Sequence, residues 1–238
     1  MPVFTNCAVA YPLTDSVNSQ KTLTPHYRLT ARIHSLGVFA YGGMIANSNP
    51  SFDINITYNR KHYSLLFLKG LDLYDLHSSY NFTLLMANIP CRITKSIAFV
   101  PCAGFVVDQT ESIIGKDSDG VIFLITTWKR PNGITFEHCG RFSNICFRTQ
   151  YFDWLNRFRV SYTYHHFDMV ASLWHNNNVF DRSKHTSVGI SLSYNRVKVS
   201  EYVSLSTALT AIKMTACTDS EALSTASGIA LTIAATLN

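Results

Sequence analysis

The chain has 238 residues, of which 15% are charged and 13% aromatic, with a formal net charge of +5. Soluble domains carry roughly 25% charged residues, so this composition points to a β protein with a large buried core or to a membrane barrel. The longest apolar run, Ile97–Val107, is interrupted by Pro101, Cys102 and Gly104, short of the ~18–20 apolar residues of a membrane helix. No basic run interleaved with aromatics points to nucleic acid. The six cysteines (Cys7, Cys91, Cys102, Cys139, Cys146 and Cys217) show no metal spacing. No metal or cofactor is therefore expected, and disulfide pairing is not readable.

Residues 1–25 read as an N-terminal extension and residues 26–238 as a single barrel domain. An exported protein needs a leader, and residues 1–20 lack a basic segment followed by a long apolar one. The expectation is that the leader was cleaved or lies upstream. No lipobox-like helix precedes Cys7, so a lipid anchor there is not expected.

From residue 26 onward the signal is period-two alternation, which sends successive side chains to opposite faces of a strand. Residues 27–34 put Arg28, Thr30, Arg32 and His34 on one face, and residues 52–59 alternate Phe52, Ile54, Ile56 and Tyr58 with Asp53, Asn55, Thr57 and Asn59. Residues 186–195 and 228–238 repeat the pattern. Strands are predicted at 27–46, 51–59, 62–74, 80–89, 95–108, 120–130, 133–143, 151–164, 167–176, 185–195, 202–216 and 228–238. Most are ten residues or longer, the span of a tilted membrane strand at about 9–11, whereas soluble strands average about 5–6.

The predicted connections alternate in length. Short turns at 59–61, 89–94, 130–133, 165–166 and 196–200 interleave with longer links at 47–50, 75–79, 109–119, 144–150, 177–184 and 217–227. The turn at 130–133 carries the hairpin signal Pro131–Asn132–Gly133. Short turns on one side and longer loops on the other, with both termini on the short-turn side, imply an even-stranded transmembrane barrel. Arg60, Lys61, Arg92, Lys95, Lys129, Arg130, Arg196 and Lys198 gather at the short-turn end. Asp75, Asp108, Glu111, Asp117, Asp119, Asp181, Asp219 and Glu221 gather at the long-loop end. Tyr58, Tyr74, Trp128, Trp154, Tyr162, Tyr164, Trp174 and Tyr194 suit interfacial girdles. Asp117–Ser118–Asp119–Gly120 lacks the other ligands of a calcium loop and reads as a turn.

Over residues 26–238 the chain resembles the Gram-negative outer-membrane β-barrel proteins. That resemblance implies an all-β, up-and-down antiparallel transmembrane β-barrel of about 12 strands in the bacterial outer membrane. The aromatic C-terminal residue usual in such proteins is replaced here by Leu237–Asn238. With the apolar faces turned to lipid, the lumen is expected to be lined by Arg28, Arg32, His34, Asp53, Asn55, Asn59, Lys69, Glu137, Arg141, Asp153, Arg157 and Arg159. Charges of both signs allow a closed plug of ion pairs, while repeated arginine would favour anionic solutes in a narrow pore.

One region looks similar to the outer-membrane phospholipase, whose family carries His-x-Ser-Asn on one strand and Trp-Asn-Arg on the next. Here the segment 136–144 contains His138, Gly140 and Ser143–Asn144, and Trp154–Leu155–Asn156–Arg157 follows. The resemblance implies His138 as base and Asn156 as its orienting partner, both facing lipid beside Phe136, Trp154 and Phe158. Gly140 stands at the serine position of that motif, and Ser143 is five residues from His138. Lipid A deacylase barrels place Ser-Asn similarly, but their histidine position holds Arg141 here.

The functional expectation is therefore a narrow pore or a partner-binding scaffold with a polar, charged lumen. Its partners would be the lipid bilayer of the outer membrane and a small anionic solute, or a protein at the outer loops. A lipid hydrolase working from His138, Asn156 and Ser143 is the alternative. A soluble lipocalin-like protein with its apolar face inward is a third.

Overall fold

The computed structural model describes residues 26–39, 43–75, 81–107, 119–147, 149–178, 184–218 and 227–237. The expected extension at 1–25, together with Asp108, Glu111, Asp117, Asp181, Asp219 and Glu221, lies outside the described residues. The strands are β1 (His26–His34), β2 (Gly37–Phe39), β3 (Met44–Asn47), β4 (Ser51–Asn59), β5 (Ser64–Asp72), β6 (Phe82–Asn88), β7 (Cys91–Arg92) and β8 (Ile97–Val107). They continue as β9 (Asp119–Lys129), β10 (Ile134–Ser143), β11 (Asp153–Tyr164), β12 (Phe167–Asn178), β13 (Lys184–Lys198), β14 (Val203–Cys217) and β15 (Gly228–Leu237).

Each long strand pairs antiparallel with its neighbours, in the order β6-β5-β4-β1-β15-β14-β13-β12-β11-β10-β9-β8. β6 also pairs with β8, from Thr83↔Val107 to Asn88↔Cys102, and this closes the circle. β7 prolongs β6 past a break at residues 89–90 and pairs with Phe99 and Ala98 of β8. Pro101, which has no N–H to donate, lies at that break, and its carbonyl accepts from the Ile89 N–H at 3.1 Å. The result is a closed twelve-stranded barrel with short turns and the two chain-end strands at one end and longer connections at the other.

The outer surface is apolar. Ile33, Ile56, Leu65, Leu85, Phe158, Leu173, Ile190, Leu209, Leu231 and Ile233 are exposed, while the alternate residues of the same strands are buried. This is the outer surface of a barrel solvated by hydrocarbon, whereas a lipocalin-like protein would turn a polar face outward. Aromatic pairs mark two levels. Trp128 stacks on Phe136 at 5.4 Å near the short turns, and Phe142 stacks on Trp154 at 6.3 Å near the long loops.

The first predicted strand, 27–46, is shorter than expected. β1 stops at His34, and β2 and β3 form a separate two-stranded hairpin. Alternation fails there, because Val38, Phe39, Met44 and Ile45 give both faces an apolar character, and Gly43 turns the chain with φ of 67°. The hairpin folds inward rather than continuing the wall. Met44 and Ile45 are buried, and a Cβ on Gly228 would come 3.3 Å from the side chains of Ile45 and Leu36. A Cβ on Gly43 would overlap the Trp174 indole. Trp174, expected at an interface, is thus an interior residue, only 2% exposed, and it packs over Gly189 of β13, where a Cβ would come within 2.8 Å of the ring.

Gly43→Val combines a positive φ with this overlap, and it should lower stability by about 1–3 kcal/mol. Urea unfolding of the micelle-bound protein, followed by tryptophan emission, measures this. Gly140→Ala, whose Cβ meets nothing nearer than 3.8 Å, should leave the transition almost unmoved.

Candidate functional site: the charged wall of the lumen

Alternation puts even-numbered residues of β1 and odd-numbered residues of β4, β10 and β11 inside the barrel. On the β1–β4 side, the Arg32 Nε donates to Asp53 Oδ1 at 2.6 Å. The His34 ring bridges Asp53 Oδ2 through Nε2 and the Thr232 hydroxyl through Nδ1, both at 2.8 Å. These side chains are nearly inaccessible to water. Arg28, nearer the short-turn end and half-buried, stands opposite Thr57.

On the β10–β11 side, Glu137 accepts from Arg157 at 2.7 Å and lies 3.7 Å from Arg159. Arg141 pairs with Asp153. Three arginines thus face two carboxylates on this wall. The next acid along, Asp168 on β12, is held by the Asn195 amide at 2.5 Å. Buried ions persist only when paired and hydrogen-bonded, yet the Nε donors of both Arg141 and Arg159 are buried without an acceptor among the described residues. The wall therefore gathers three guanidinium groups around Glu137 and Asp153, with Asp168 near enough to act on Arg159, and holds unused Nε donors among the described residues.

The remaining lining is of two kinds. Leu66, Leu68, Phe82, Leu84, Met86, Val100, Val121, Phe123 and Ile125 form a contiguous apolar wall over β5, β6, β8 and β9, and Ile45 of the hairpin joins it. Small polar residues line β13–β15, among them Ser187, Ser191, Ser193, Thr210 and Thr232, with Ser191 and Thr210 hydroxyls 2.9 Å apart. Sequence reasoning missed the apolar wall, because β5, β6 and β9 are apolar on both faces and alternation is silent there. Lys69 is also corrected. It shares the outward face of Leu65, Phe67 and Leu71, and its Nζ donates to Thr83 at 3.1 Å.

Nearly all the inward side chains on these walls are less than a tenth exposed, so the interior is filled rather than a wide aqueous channel. At the long-loop end Asp119 is likewise buried, and its carboxylate accepts from the backbone N–H groups of Cys146 and Phe147 at 2.8 and 3.1 Å. It ties the start of β9 to the loop after β10.

His138 and Asn156 do meet on the outer face, with Nε2 and Oδ1 3.2 Å apart. In register, however, Asn156 stands opposite Gly140, and His138 stands opposite Phe158, whose ring lies 4.7 Å away. Ser143 stands opposite Asp153 on the inward face. The wall of the barrel thus separates the hydroxyl from the imidazole, and a nucleophile and its base must be within hydrogen-bond reach.

The fold and this lining define a closed, twelve-stranded transmembrane β-barrel of the outer-membrane type. No protein-family profile matches the chain, and no curated protein matches its sequence. Solved structures share the fold. The KdgM porin superposes with a TM-score of 0.60 at 8% identity, covering 89% of this chain and 98% of its own. The NanC porin gives 0.59 at 10% identity, covering 90% and 100%. An outer membrane channel from Pseudomonas putida F1 gives 0.57 at 8% identity, covering 93% and 99%.

Asp153→Asn would leave the buried Arg141 without its carboxylate, and stability should fall by about 3–5 kcal/mol. The pair replacement Arg141→Met with Asp153→Leu should restore most of that loss. Urea midpoints of the three proteins in micelles decide it.

Proposed function

We propose that the protein is a narrow outer-membrane pore that favours small anionic solutes and whose interior is packed shut at rest. The observation that carries this reading is the row of arginines on one wall of the lumen, with Arg157 and Arg159 both facing the carboxylate of Glu137 and Arg141 beside Asp153. An anion entering between this wall and the small-residue wall of β13–β15 would complete the unused donors. Guanidinium remains charged at any physiological pH, so such selectivity would be insensitive to protonation. The structural likeness to channels is compatible with this reading, and one solved KdgM porin is described in complex with disordered oligogalacturonate, an anionic sugar chain. The packed interior supports a second reading, a closed scaffold whose outer loops engage a protein.

Planar-bilayer recording of the refolded protein separates the two readings. A pore should give small unitary steps, and its reversal potential in a salt gradient should show anion preference. Arg159→Ala should reduce that preference without changing the insertion rate. A silent, fully inserted barrel would overturn the pore and leave the scaffold. Phospholipid turnover on the same sample should be absent and unaltered by His138→Ala.

A further inference from the structure

The outward faces of β11–β14 near the long loops carry polar groups that neither the lumen nor the girdles use. In register, Asn156 stands opposite His175, and His175 opposite Thr186. Asn177 stands opposite Lys184 in the last pair before the loop. His175 Nδ1 and the Thr186 hydroxyl are 3.0 Å apart, which leaves the other ring nitrogen for a further partner. A bulge follows Thr186, and there the Thr215 hydroxyl donates to the Thr186 carbonyl at 3.1 Å. Lys213 stands opposite Val188, one outward position from Thr186, so the ammonium stem and the hydroxyl are diagonal neighbours on one face.

Among the described residues of β10–β14, no carboxylate is recorded against these cations. The acids of β10–β14 are Glu137, Asp153 and Asp168, and all three are engaged with partners inside the barrel. A lipid-facing lysine is costly at the bilayer midplane and nearly neutral close to the interface. Lys184 shares a register row with the exposed Trp154 through Asn177, at the girdle that marks the headgroup region. Lys213 lies two outward positions deeper, in the row of exposed Phe158, Leu173 and Val188, and exposed Ile190 and Leu209 continue the apolar surface beyond it. Cations and hydroxyls above an apolar apron match a phosphorylated headgroup with its acyl chains below, since phosphate oxygens accept several charge-assisted hydrogen bonds at once.

We infer that Lys213, Lys184, His175 and Thr186 form a binding site for the phosphate headgroup of an outer-leaflet lipid. The site is independent of whether the lumen conducts.

Native mass spectrometry of the detergent-purified full chain tests this with bisphosphorylated lipid A and its dephosphorylated form as probes. The phosphorylated form should be retained, and removing its phosphates should weaken retention by about fivefold or more, the effect of roughly one surface cation on an anionic headgroup. Lys213→Gln with His175→Gln should do the same, whereas Lys213→Arg should retain the lipid. Heat-dependent gel mobility reports whether each variant is folded. If the double variant fails to fold, Lys184→Gln at the strand end carries the same expectation. Equal retention of the two lipid forms, or retention unaltered in a folded glutamine variant, overturns the proposal. Full displacement of lipid A by millimolar inorganic phosphate overturns it too, because the site would then take free anions rather than a lipid.

Discussion

Every other feature of this molecule depends on the seam between β1 and β15. Within hydrocarbon there is no water to satisfy backbone N–H and C=O groups, so a sheet can cross only if it has no free edge. The pairing from Leu29↔Leu237 to His34↔Thr232 supplies that closure. It also brings His34 to within hydrogen-bond reach of Thr232 and so joins the first charged cluster to the last strand. Closure converts simple alternation into two different solvents: lipid outside Ile33 and Ile233, and a private interior around Arg32 and Asp53.

Closure also explains why the interior can hold so much charge. Asp53 and Glu137 sit in a dry space where ions are costly unless fixed in place, and each is flanked by two cationic or titratable partners. The apolar wall that includes Leu66, Leu84 and Phe123 lies between the two clusters, with Asp53 on the strand beside one edge of it and Glu137 on the strand beside the other. The lumen is therefore strongly sided, with hydrocarbon on one wall, charge on both of its flanks and small hydroxyls across from it.

The architecture was legible in the sequence because closure leaves a periodic trace. The alternation of short and long connections and the even count survive in the structure, and apart from the first strand, which stops at His34, the strand bounds shift by only a few residues. The inward parity of Arg32, Asp53, Arg141 and Arg157 follows from the same alternation. What sequence did not carry was anything set by relative height around the barrel. The bond from Arg157 to Glu137 runs on a diagonal between strands, and the register of β10 against β11 sets His138 opposite Phe158, so that it meets Asn156 only diagonally. His138 and Ser143 differ in parity, so the alternation itself puts them on opposite faces. Where both faces are apolar, as in β5 and in the segment from Val38 to Ile45, period two contains no information. For that reason the pattern turns Lys69 inward and carries the first strand on through the hairpin.

The inward hairpin has a consequence for the order in which the chain is assembled. β2 and β3 follow β1 immediately, yet Gly43 packs against Trp174 and Ile45 lies near Gly228, contacts that span well over a hundred residues of sequence. The β1–β15 seam joins residues equally remote. Contacts of such separation form late, because the entropy of closing a long loop precedes any reward from them. The hairpin is tethered to one lip of that seam and reaches the wall on the far side of the other lip. It must therefore be seated before the lips meet, or be threaded afterwards through the open mouth. The plug of this barrel is thus a matter of timing as well as of packing, with the earliest part of the described chain waiting on the last.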